Sequence, residues 1–428
     1  MKIIKYPNQE KIQKLLKRPV IDRDKIQQKV LSIIEAVKLS GDKALFEFAR
    51  KYDGANLTQL FVDDSEFNKI ENRVDKKLKQ AINVANENIF KFHYSQKRDV
   101  LKVEIDEGIT CWRKSVPIER VGLYIPGGST SLFSTLLMLG IPAKIAECRE
   151  IVICTPPQKD GKVAESILYV AELLGIRKIF KVGGAQAIAA MAFGTETIPK
   201  VNKIFGPGNQ WVTTAKQIVN SLGVAIDMPA GPSEVLVIAD DSADPEFVAA
   251  DLLSQAEHGP DSQVVLISTS ERLIDVIINK IEEIKNKLSR KNIIEKSLLN
   301  SAIILVKELD EAVKISNDYA PEHLILSVQN AEILSEKISN AGSVFLGNYS
   351  PESAGDYASG TNHTLPTNGF ADAYSSVSLD SFMKKITFQK LTKSGLNKIA
   401  LTVETMAEAE GLDAHKLAVT IRREKKNG

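Results

Sequence analysis

The chain has 428 residues, of which 43% are hydrophobic, 25% are charged and 6% are aromatic. This length is sufficient for two or three domains with their own cores, and the composition excludes a disordered, collagen-like or coiled-coil chain. With 55 Lys and Arg against 54 Asp and Glu, the formal charge of +1 gives no electrostatic reason to expect binding to nucleic acid or to an anionic membrane.

No part of the sequence is typical of a secreted or membrane-spanning protein. Residues 1–18 lack the apolar core of a signal peptide. The longest uncharged run, Val121–Ala143, is interrupted by six Gly and Pro residues and would make a poor membrane helix. The cysteines Cys111, Cys148 and Cys154 are odd in number and widely spaced, which predicts reduced thiols in a cytoplasmic protein.

The first hundred residues are predicted to be helical, because Asp22–Leu39 and Asp64–Lys97 carry apolar residues at three- and four-residue spacing. From Cys111 onward, short apolar strands alternate with helices in a repeat of about 25 residues, the pattern of βαβ units. The predicted strands of this series are 151–154, 178–182, 201–205 and 224–227, and the predicted helices are 163–174, 185–193 and 209–222.

A second α/β series follows the first. Its predicted strands are 234–239, 263–268, 302–306, 323–328 and 343–346, and its predicted helices are 246–257, 271–288 and 331–340. Residues 376–428 are predicted to be amphipathic helix. The two series predict two Rossmann-like, doubly wound α/β domains, which favour a ligand site at the carboxyl ends of the strands.

The segment Ser242–Pro260 carries a candidate metal half-site. Asp244 is predicted to cap a helix that ends before Gly259, which leaves Gln255 and His258 side by side on its last turn. One amide oxygen and one imidazole would suit a metal. On this segment alone, however, a histidine that caps the helix is the favoured interpretation.

Glu322 and His323 directly precede an apolar strand and are candidates for proton transfer, since their surroundings can tune either group toward neutral pH. Neighbours in a regular strand point to opposite faces, so the pair meets only if the turn at Pro321 breaks the alternation. The alternative is a simple ion pair in a turn.

Three further regions are less specific. The polar loop Ser350–His363 offers Asp356 as a metal ligand and His363 as a site residue, or is an ordered surface loop. The turns at Gly183–Gly184 and Phe205–Asn209 could present backbone N–H groups to a pyrophosphate, but neither completes the G-x-G-x-x-G pattern. Cys154, at a strand end, is more simply a buried thiol than a nucleophile.

Taken together, these segments closely resemble the histidinol dehydrogenase family. The motifs that carry the resemblance are Arg120–Gly128, Gly183–Ala190, Ile204–Asn209, Asp227–Glu234, Asp251–Gln263, Tyr319–His323, Ser350–His363 and Glu410–His415. They follow the family's order. Because so many ordered matches do not arise by coincidence, the functional interpretations of these segments are now favoured over the simpler ones given above.

The resemblance implies an NAD- and zinc-dependent, four-electron oxidation of L-histidinol to L-histidine through the aldehyde. By similarity, one Zn²⁺ per subunit is held by Gln255, His258, Asp356 and His415. The implied substrate contacts are these four residues together with Ser233, His323 and Glu410, and the implied NAD contacts are Tyr124, Gln186 and Asn209. His323 would act as general base, and Glu322 would activate the water that hydrates the aldehyde.

The resemblance also implies an aldehyde-dehydrogenase-like arrangement of the two α/β domains and a cytoplasmic homodimer whose carboxyl-terminal tail reaches the partner's site. The expected domains are 1–105, a helical segment packing on the catalytic domain; 106–232, binding NAD; 233–375, catalytic and zinc-binding; and 376–428, the helical tail. Three alternatives remain: a dehydrogenase of another small hydroxymethyl compound, a zinc hydrolase without nicotinamide, and a non-catalytic binding protein.

Overall fold

The computed structural model describes residues 1–18, 23–127 and 131–425. Asp22, the predicted start of the first long helix, and Gly128, the end of the first family motif, lie outside these residues. The chain divides into two compact units. The larger unit comprises Met1–Gln96 and Glu119–Phe382, and the smaller comprises Lys97–Ile118 and the chain from Met383 onward.

The strands are β1 (Lys2–Lys5), β2 (Lys102–Asp106), β3 (Ile109–Pro117), β4 (Arg120–Tyr124), β5 (Glu150–Thr155), β6 (Ile179–Lys181), β7 (Lys203–Phe205), β8 (Ala225–Ile226), β9 (Glu234–Ala239), β10 (Gln263–Ser268), β11 (Ala302–Leu305), β12 (His323–Ser327), β13 (Ser343–Leu346) and β14 (Met383–Leu391).

The helices are α1 (Gln9–Leu15), α2 (Arg23–Phe48), α3 (Asp64–Phe67), α4 (Ile70–Arg73), α5 (Lys76–Tyr94), α6 (Phe133–Ile145), α7 (Glu165–Leu173), α8 (Gly184–Phe193), α9 (Gln210–Ser221), α10 (Pro245–Ala256), α11 (Glu271–Lys285), α12 (Lys291–Leu299), α13 (Leu309–Tyr319), α14 (Ala331–Ser335), α15 (Glu352–Tyr357), α16 (Lys393–Ala409) and α17 (Asp413–Glu424). Within the described ranges, no helix combines the length and apolar character needed to cross a bilayer.

The first sheet of the larger unit is parallel, with the strand order β6-β5-β4-β7-β8. Its strands confirm the first predicted α/β series and add β4, which lies at the centre. A parallel sheet needs apolar cover on its faces, and α2, α8 and α9 supply part of it with a buried cluster of Ile, Val, Leu and Ala side chains. The long helix of the N-terminal segment therefore packs on this sheet.

The second sheet of the larger unit is also parallel, in the order β1-β11-β10-β9-β12-β13. The five predicted strands of the second series are confirmed within one residue at either end. β1 extends the edge by pairing Lys2–Lys5 with Ala302–Leu305. β1 lies in the segment predicted to be helical, because four residues are too few to show a strand period. The two α/β layers confirm the predicted fold class. The domain limits at 105, 232 and 375 stay a prediction.

The smaller unit contains an antiparallel sheet in the order β14-β3-β2. The prediction of continuous helix from residue 376 is therefore wrong over Met383–Leu391, and the tail is helical from Lys393. The partner of β14 lies about 270 residues earlier in the chain, where Trp112 stacks on Phe388 with ring centroids 5.3 Å apart. Such a non-local pairing leaves no local pattern in the sequence.

The imidazole of His93, on α5, is completely buried in the larger unit. Its Nε2 lies 3.3 Å from the amide nitrogen of Asn362, which can only donate, so Nε2 accepts and His93 is neutral. Burial lowers the pKa of His93 from 6.5 to about 4. His93 is thus a core residue.

We expect His93 to make the fold acid-sensitive. Because unfolded His93 takes up a proton near its ordinary pKa and folded His93 does not, stability present above pH 6.5 is lost as the pH falls toward 4. Between pH 7 and pH 5 this loss amounts to about 2 kcal/mol. Urea unfolding of wild type and His93→Gln at both pH values measures it. An equal pH dependence in the two proteins would contradict the prediction.

Candidate functional site

The end of α10 is built as its sequence predicts. The Asp244 carboxylate caps the helix start by accepting from the backbone N–H groups of Glu246 and Phe247, at 2.8 and 3.2 Å. The helix ends at Ala256, with Gln255 completely buried on its last turn and His258 exposed just beyond it. One amide and one imidazole are therefore presented at the same helix end.

Glu322 and His323 meet because the turn before β12 breaks the strand alternation. Ala320 has a left-handed backbone conformation (φ 50°), Pro321 follows it, and Glu322 lies in the turn rather than in the strand. Both side chains are buried, and Glu322 Oε2 is 3.6 Å from His323 Nδ1. The geometric obstacle raised by the sequence is thus removed.

The contacts of His323 determine which of its ring nitrogens carries the hydrogen. Nδ1 lies 3.1 Å from the backbone carbonyl oxygen of Glu234, which can only accept, so Nδ1 carries the hydrogen. Nε2 is buried and has no hydrogen-bond partner among the described residues, although Asp356 Oδ1 is 3.4 Å away. A buried, unpartnered nitrogen facing a carboxylate is suited to accept a proton or to face a bound ligand.

Charge around His323 strongly favours its protonated form. Burial by itself would lower the pKa of His323, but the carboxylates of Glu322 and Asp356 outweigh it and raise that pKa well above its ordinary value. Burial likewise opposes ionisation of Asp356. The imidazoles of His323, His363 and His258 outweigh this burial and hold the pKa of Asp356 below its usual range.

Glu352 was not among the residues predicted from the sequence; it is 1% exposed and accepts a hydrogen bond of 2.6 Å from Ser254 Oγ. Burial raises the pKa of Glu352 to about 8. Its position was foreseeable, since Glu352 and Asp356 are four residues apart and share one face of α15.

The amide of Gln255 lies between Glu352 and Glu322. In one orientation its nitrogen donates to Glu322 Oε2 at 3.3 Å. In the other, its nitrogen donates to Glu352 at 3.1 Å, and its oxygen accepts from the Glu234 N–H at 3.0 Å. Either orientation holds the Gln255 side chain beside the Glu322–His323 pair.

The residues implied to hold a metal are of the right chemical types. Gln255, His258 and Asp356 offer an amide oxygen, an imidazole and a carboxylate, which zinc accepts, and the unpartnered Nε2 of His323 faces the same carboxylate. Within 1–18, 23–127 and 131–425, no group of three His, Cys, Asp or Glu side chains is close enough to bind a metal without other donors. A complete site therefore needs the Gln255 amide or a residue from elsewhere.

The three candidate nucleotide contacts lie at the carboxyl edge of the first sheet. Tyr124 ends β4, and its hydroxyl accepts from the Gly184 N–H at 3.1 Å. Gln186 is buried in the first turn of α8, directly beside Gly184. Asn209 caps α9 by accepting from the N–H groups of its first turn at 3.0 and 3.2 Å. Burial raises the pKa of Tyr124 to about 12, so its phenol remains a hydrogen-bond donor.

The second sheet departs from the expected geometry. Glu234 and His323 are the first residues of β9 and β12, so the acid–base pair lies at the amino ends of these strands. The nucleotide candidates therefore lie at strand carboxyl ends, as expected for a ligand site, whereas the acid–base pair lies at strand amino ends. α10 returns antiparallel to β9, which brings Gln255 back to the amino edge.

The remaining candidates are placed as follows. Ser233 is half-buried immediately before β9. His363 Nδ1 donates to the Asp356 backbone oxygen at 2.9 Å, so His363 supports the loop of Asp356. Glu410 and His415 belong to the smaller unit, where both are exposed, at the end of α16 and the start of α17.

The three cysteines are free thiols, as their spacing predicted. Cys154 is completely buried at the end of β5, and burial strongly raises its pKa. Burial also raises the pKa of Cys148, to about 11. A thiol that stays protonated is a poor nucleophile, which favours the interpretation of Cys154 as a packing residue.

Comparison with known proteins identifies close relatives. The family model described as histidinol dehydrogenase matches residues 16–423. Histidinol dehydrogenase of Bacteroides fragilis (strain YCH46) is 58% identical over 424 residues, which cover 99% of each chain. The Vibrio cholerae enzyme of the same name is 54% identical over 414 residues, covering 96% of this chain and 95% of that one.

A solved structure is equally similar. The crystal structure of histidinol dehydrogenase from Elizabethkingia anophelis is 55% identical in sequence and superposes with a TM-score of 0.96. The match covers 99% of this chain and 98% of the other.

Proposed function

Because this chain belongs to the histidinol dehydrogenase family, oxidoreductases of histidine biosynthesis, we propose that it oxidises L-histidinol to L-histidine through L-histidinaldehyde with NAD and zinc. The observation that carries the proposal is the buried Glu322–His323 pair, with the unpartnered Nε2 of His323 turned toward Asp356. Two successive oxidations at one carbon use a general base for the hydroxyl proton and a carboxylate that activates water between the two steps.

Two groups are bound in this proposal. Zinc is held by Gln255, His258, Asp356 and His415, one ion per subunit, and NAD by Tyr124, Gln186 and Asn209. When bound, zinc supplies an anchor for the substrate's amine and imidazole, and NAD supplies the hydride acceptor for both oxidations. The donor chemistry and the sheet-edge position of these residues support this assignment.

His323 acts as the general base at Nε2. The Glu234 carbonyl keeps the hydrogen on Nδ1, so the lone pair of neutral His323 lies on Nε2, the only ring nitrogen able to take the proton of the substrate hydroxyl. The carboxylates of Glu322 and Asp356 then stabilise the imidazolium, and because they raise the pKa of His323, the neutral form that acts as base gains population as the pH rises. The burial of His323 excludes bulk water from this step.

Glu322 activates the water that hydrates the aldehyde, and the hydrate is the substrate of the second oxidation. The Oε2 atom of Glu322 accepts a hydrogen bond from the Glu234 N–H at 2.8 Å, which leaves the other carboxylate oxygen available for water. This route needs no cysteine adduct, in keeping with the buried and protonated state of Cys154.

The proposed enzyme is a homodimer in the cytoplasm. The free thiols favour this reducing compartment. Ser233, Glu410 and His415 complete the substrate contacts, and Glu410 and His415 serve the site of the neighbouring subunit. The exposure of both tail residues leaves them available to a second chain.

The first test counts NADH formed from limiting L-histidinol with excess NAD⁺. We expect two NADH per L-histidinol, because both oxidations occur at one site, with activity lost on chelation and restored by Zn²⁺. Other small hydroxymethyl compounds serve as substrate controls. No NADH from L-histidinol, with folded protein and bound zinc, would contradict the proposed function.

Two variants separate the half-reactions. His323→Gln should lower kcat by roughly 10²–10⁴-fold with substrate affinity nearly kept, because the base is lost. Glu322→Gln should reduce the yield from two NADH toward one, since aldehyde hydration slows. Supplying L-histidinaldehyde directly measures the second step alone. Equal losses in both steps for Glu322→Gln would contradict its assigned role.

Mixing inactive chains tests the shared site. His323→Gln and His415→Ala are each expected to be inactive as homodimers. A mixed dimer contains one site with both native residues if His415 serves its neighbour. Co-refolded mixtures should therefore regain NADH production, with each variant refolded alone as the control. No recovery, despite mixed dimers detected by mass spectrometry, would show that each site is built from one chain.

A further inference from the structure

The larger unit contains a buried ion pair that lies apart from the acid–base pair. Lys216, on α9, and Asp227, just after β8, form a salt bridge in which both side chains are almost fully buried, at 4% and 1% exposure. The candidate contacts of substrate, zinc and NAD do not include either residue.

Both partners bind the same residue of a turn. The Gly206 N–H donates to Asp227 Oδ2 at 2.8 Å, and Lys216 Nζ donates to the Gly206 carbonyl oxygen, also at 2.8 Å. The two polar backbone groups of Gly206 are thus held by opposite charges, one on each side. Hydrogen bonds to charged groups are about twice as strong as neutral ones, so this residue is tightly fixed.

Gly206 is the residue at which the turn contacts the end of β4. Its φ of 126° is open to glycine only, and a Cβ there would collide with the carbonyl oxygen of Tyr124. Three residues later, Asn209 caps α9, the helix that also carries Lys216. Holding Gly206 therefore sets the position of Asn209 relative to Tyr124.

The Lys216–Asp227 pair is not explained by its contribution to the free energy of unfolding. A buried ion pair is often no more stabilising than apolar residues of similar volume, because both charges lose their hydration. A second cation, Lys203, lies nearby: burial and Lys216 lower its pKa, and Asp227 acts against this lowering. Burying two lysines beside one aspartate costs free energy, because the charged groups lose their hydration. This cost indicates a role other than packing.

We propose that Lys216 and Asp227 are positioning residues for the dinucleotide, clamping Gly206 so that the 206–209 turn is preformed at the carboxyl edge of the first sheet. This inference rests on the proposed function, which assigns NAD to Tyr124, Gln186 and Asn209. A preformed turn lowers the ordering cost of binding, and the clamp therefore acts on NAD affinity rather than on the proton transfers at His323.

The test uses two double variants, because a single substitution would leave one buried charge without its partner. Lys216→Met with Asp227→Leu keeps the side-chain shapes and removes both contacts to Gly206. Lys216→Met with Asp227→Asn keeps an acceptor for the Gly206 N–H. The pair Lys178–Glu150, at the amino ends of the same sheet's strands, is replaced by Met and Gln as the control; Lys178 is exposed and Glu150 is half-buried.

We expect the first double variant, K216M/D227L, to bind NAD⁺ at least about tenfold more weakly by calorimetry, with the KM for L-histidinol and the zinc content unchanged. The second, K216M/D227N, should lie between it and wild type, and the K178M/E150Q control should match wild type. Hydrogen exchange at the Gly206 amide should be faster in K216M/D227L, which reports the loss of the clamp independently of NAD.

The outcomes separate the two proposals. If wild type binds no NAD⁺, the proposed function fails. If wild type binds NAD⁺ and folded K216M/D227L binds it equally well, the positioning role is overturned. Should K216M/D227L not fold, K216M/D227N decides: unchanged NAD⁺ affinity despite the lost lysine contact overturns the role, and weaker affinity supports it.

Discussion

The candidate acid–base pair depends on the backbone of Glu234. The N–H of this residue binds the carboxylate of Glu322, and its carbonyl binds Nδ1 of His323, at 2.8 and 3.1 Å. Glu234 begins β9, which is paired on both sides by β10 and β12 and is completely buried from Val235 to Ala239. A buried central strand of the second sheet therefore holds both side chains that the proposed reaction needs.

The side chain of Glu234 connects this strand to two distant segments. Its carboxylate accepts from Arg18 at 2.9 Å and from the Asn368 N–H at 3.0 Å, and Arg18 also lies over the ring of Tyr319, 4.0 Å from its centroid. Burial raises the pKa of Glu234, while Arg18 acts against the rise. Since Tyr319 directly precedes the Ala320–Glu322 turn, the contacts of Arg18 with Tyr319 connect this ion pair to the turn.

In the proposed function, the two sheets separate nucleotide binding from proton transfer. At the first sheet, the turns after the strands lead into the starts of α8 and α9, and helix starts suit an anionic dinucleotide. At the second sheet, the amino ends of β9 and β12 gather buried carboxylates around one imidazole, which suits proton transfer. The proposed oxidation uses both environments.

Local sequence determined much of this protein. The strand and helix rhythm, the Asp244 cap and the pairing of Gln255 with His258 on one turn all follow from short-range spacing, because helix and strand periods are local properties. The motifs from Arg120 to His415 also carry the family, and through it the candidate residues. None of these requires knowledge of contacts between distant segments.

Tertiary structure decided the rest. The choice of strand edge for the acid–base pair, the place of Glu352 beside Gln255, the tautomer of His323 and the clamp on Gly206 each depend on residues far apart in the chain. The same holds for β1 at the edge of the second sheet and for β14 opposite β3. Partners in such contacts are chosen by packing and by the need to satisfy buried polar groups, and neither constraint leaves a periodic signal in the sequence.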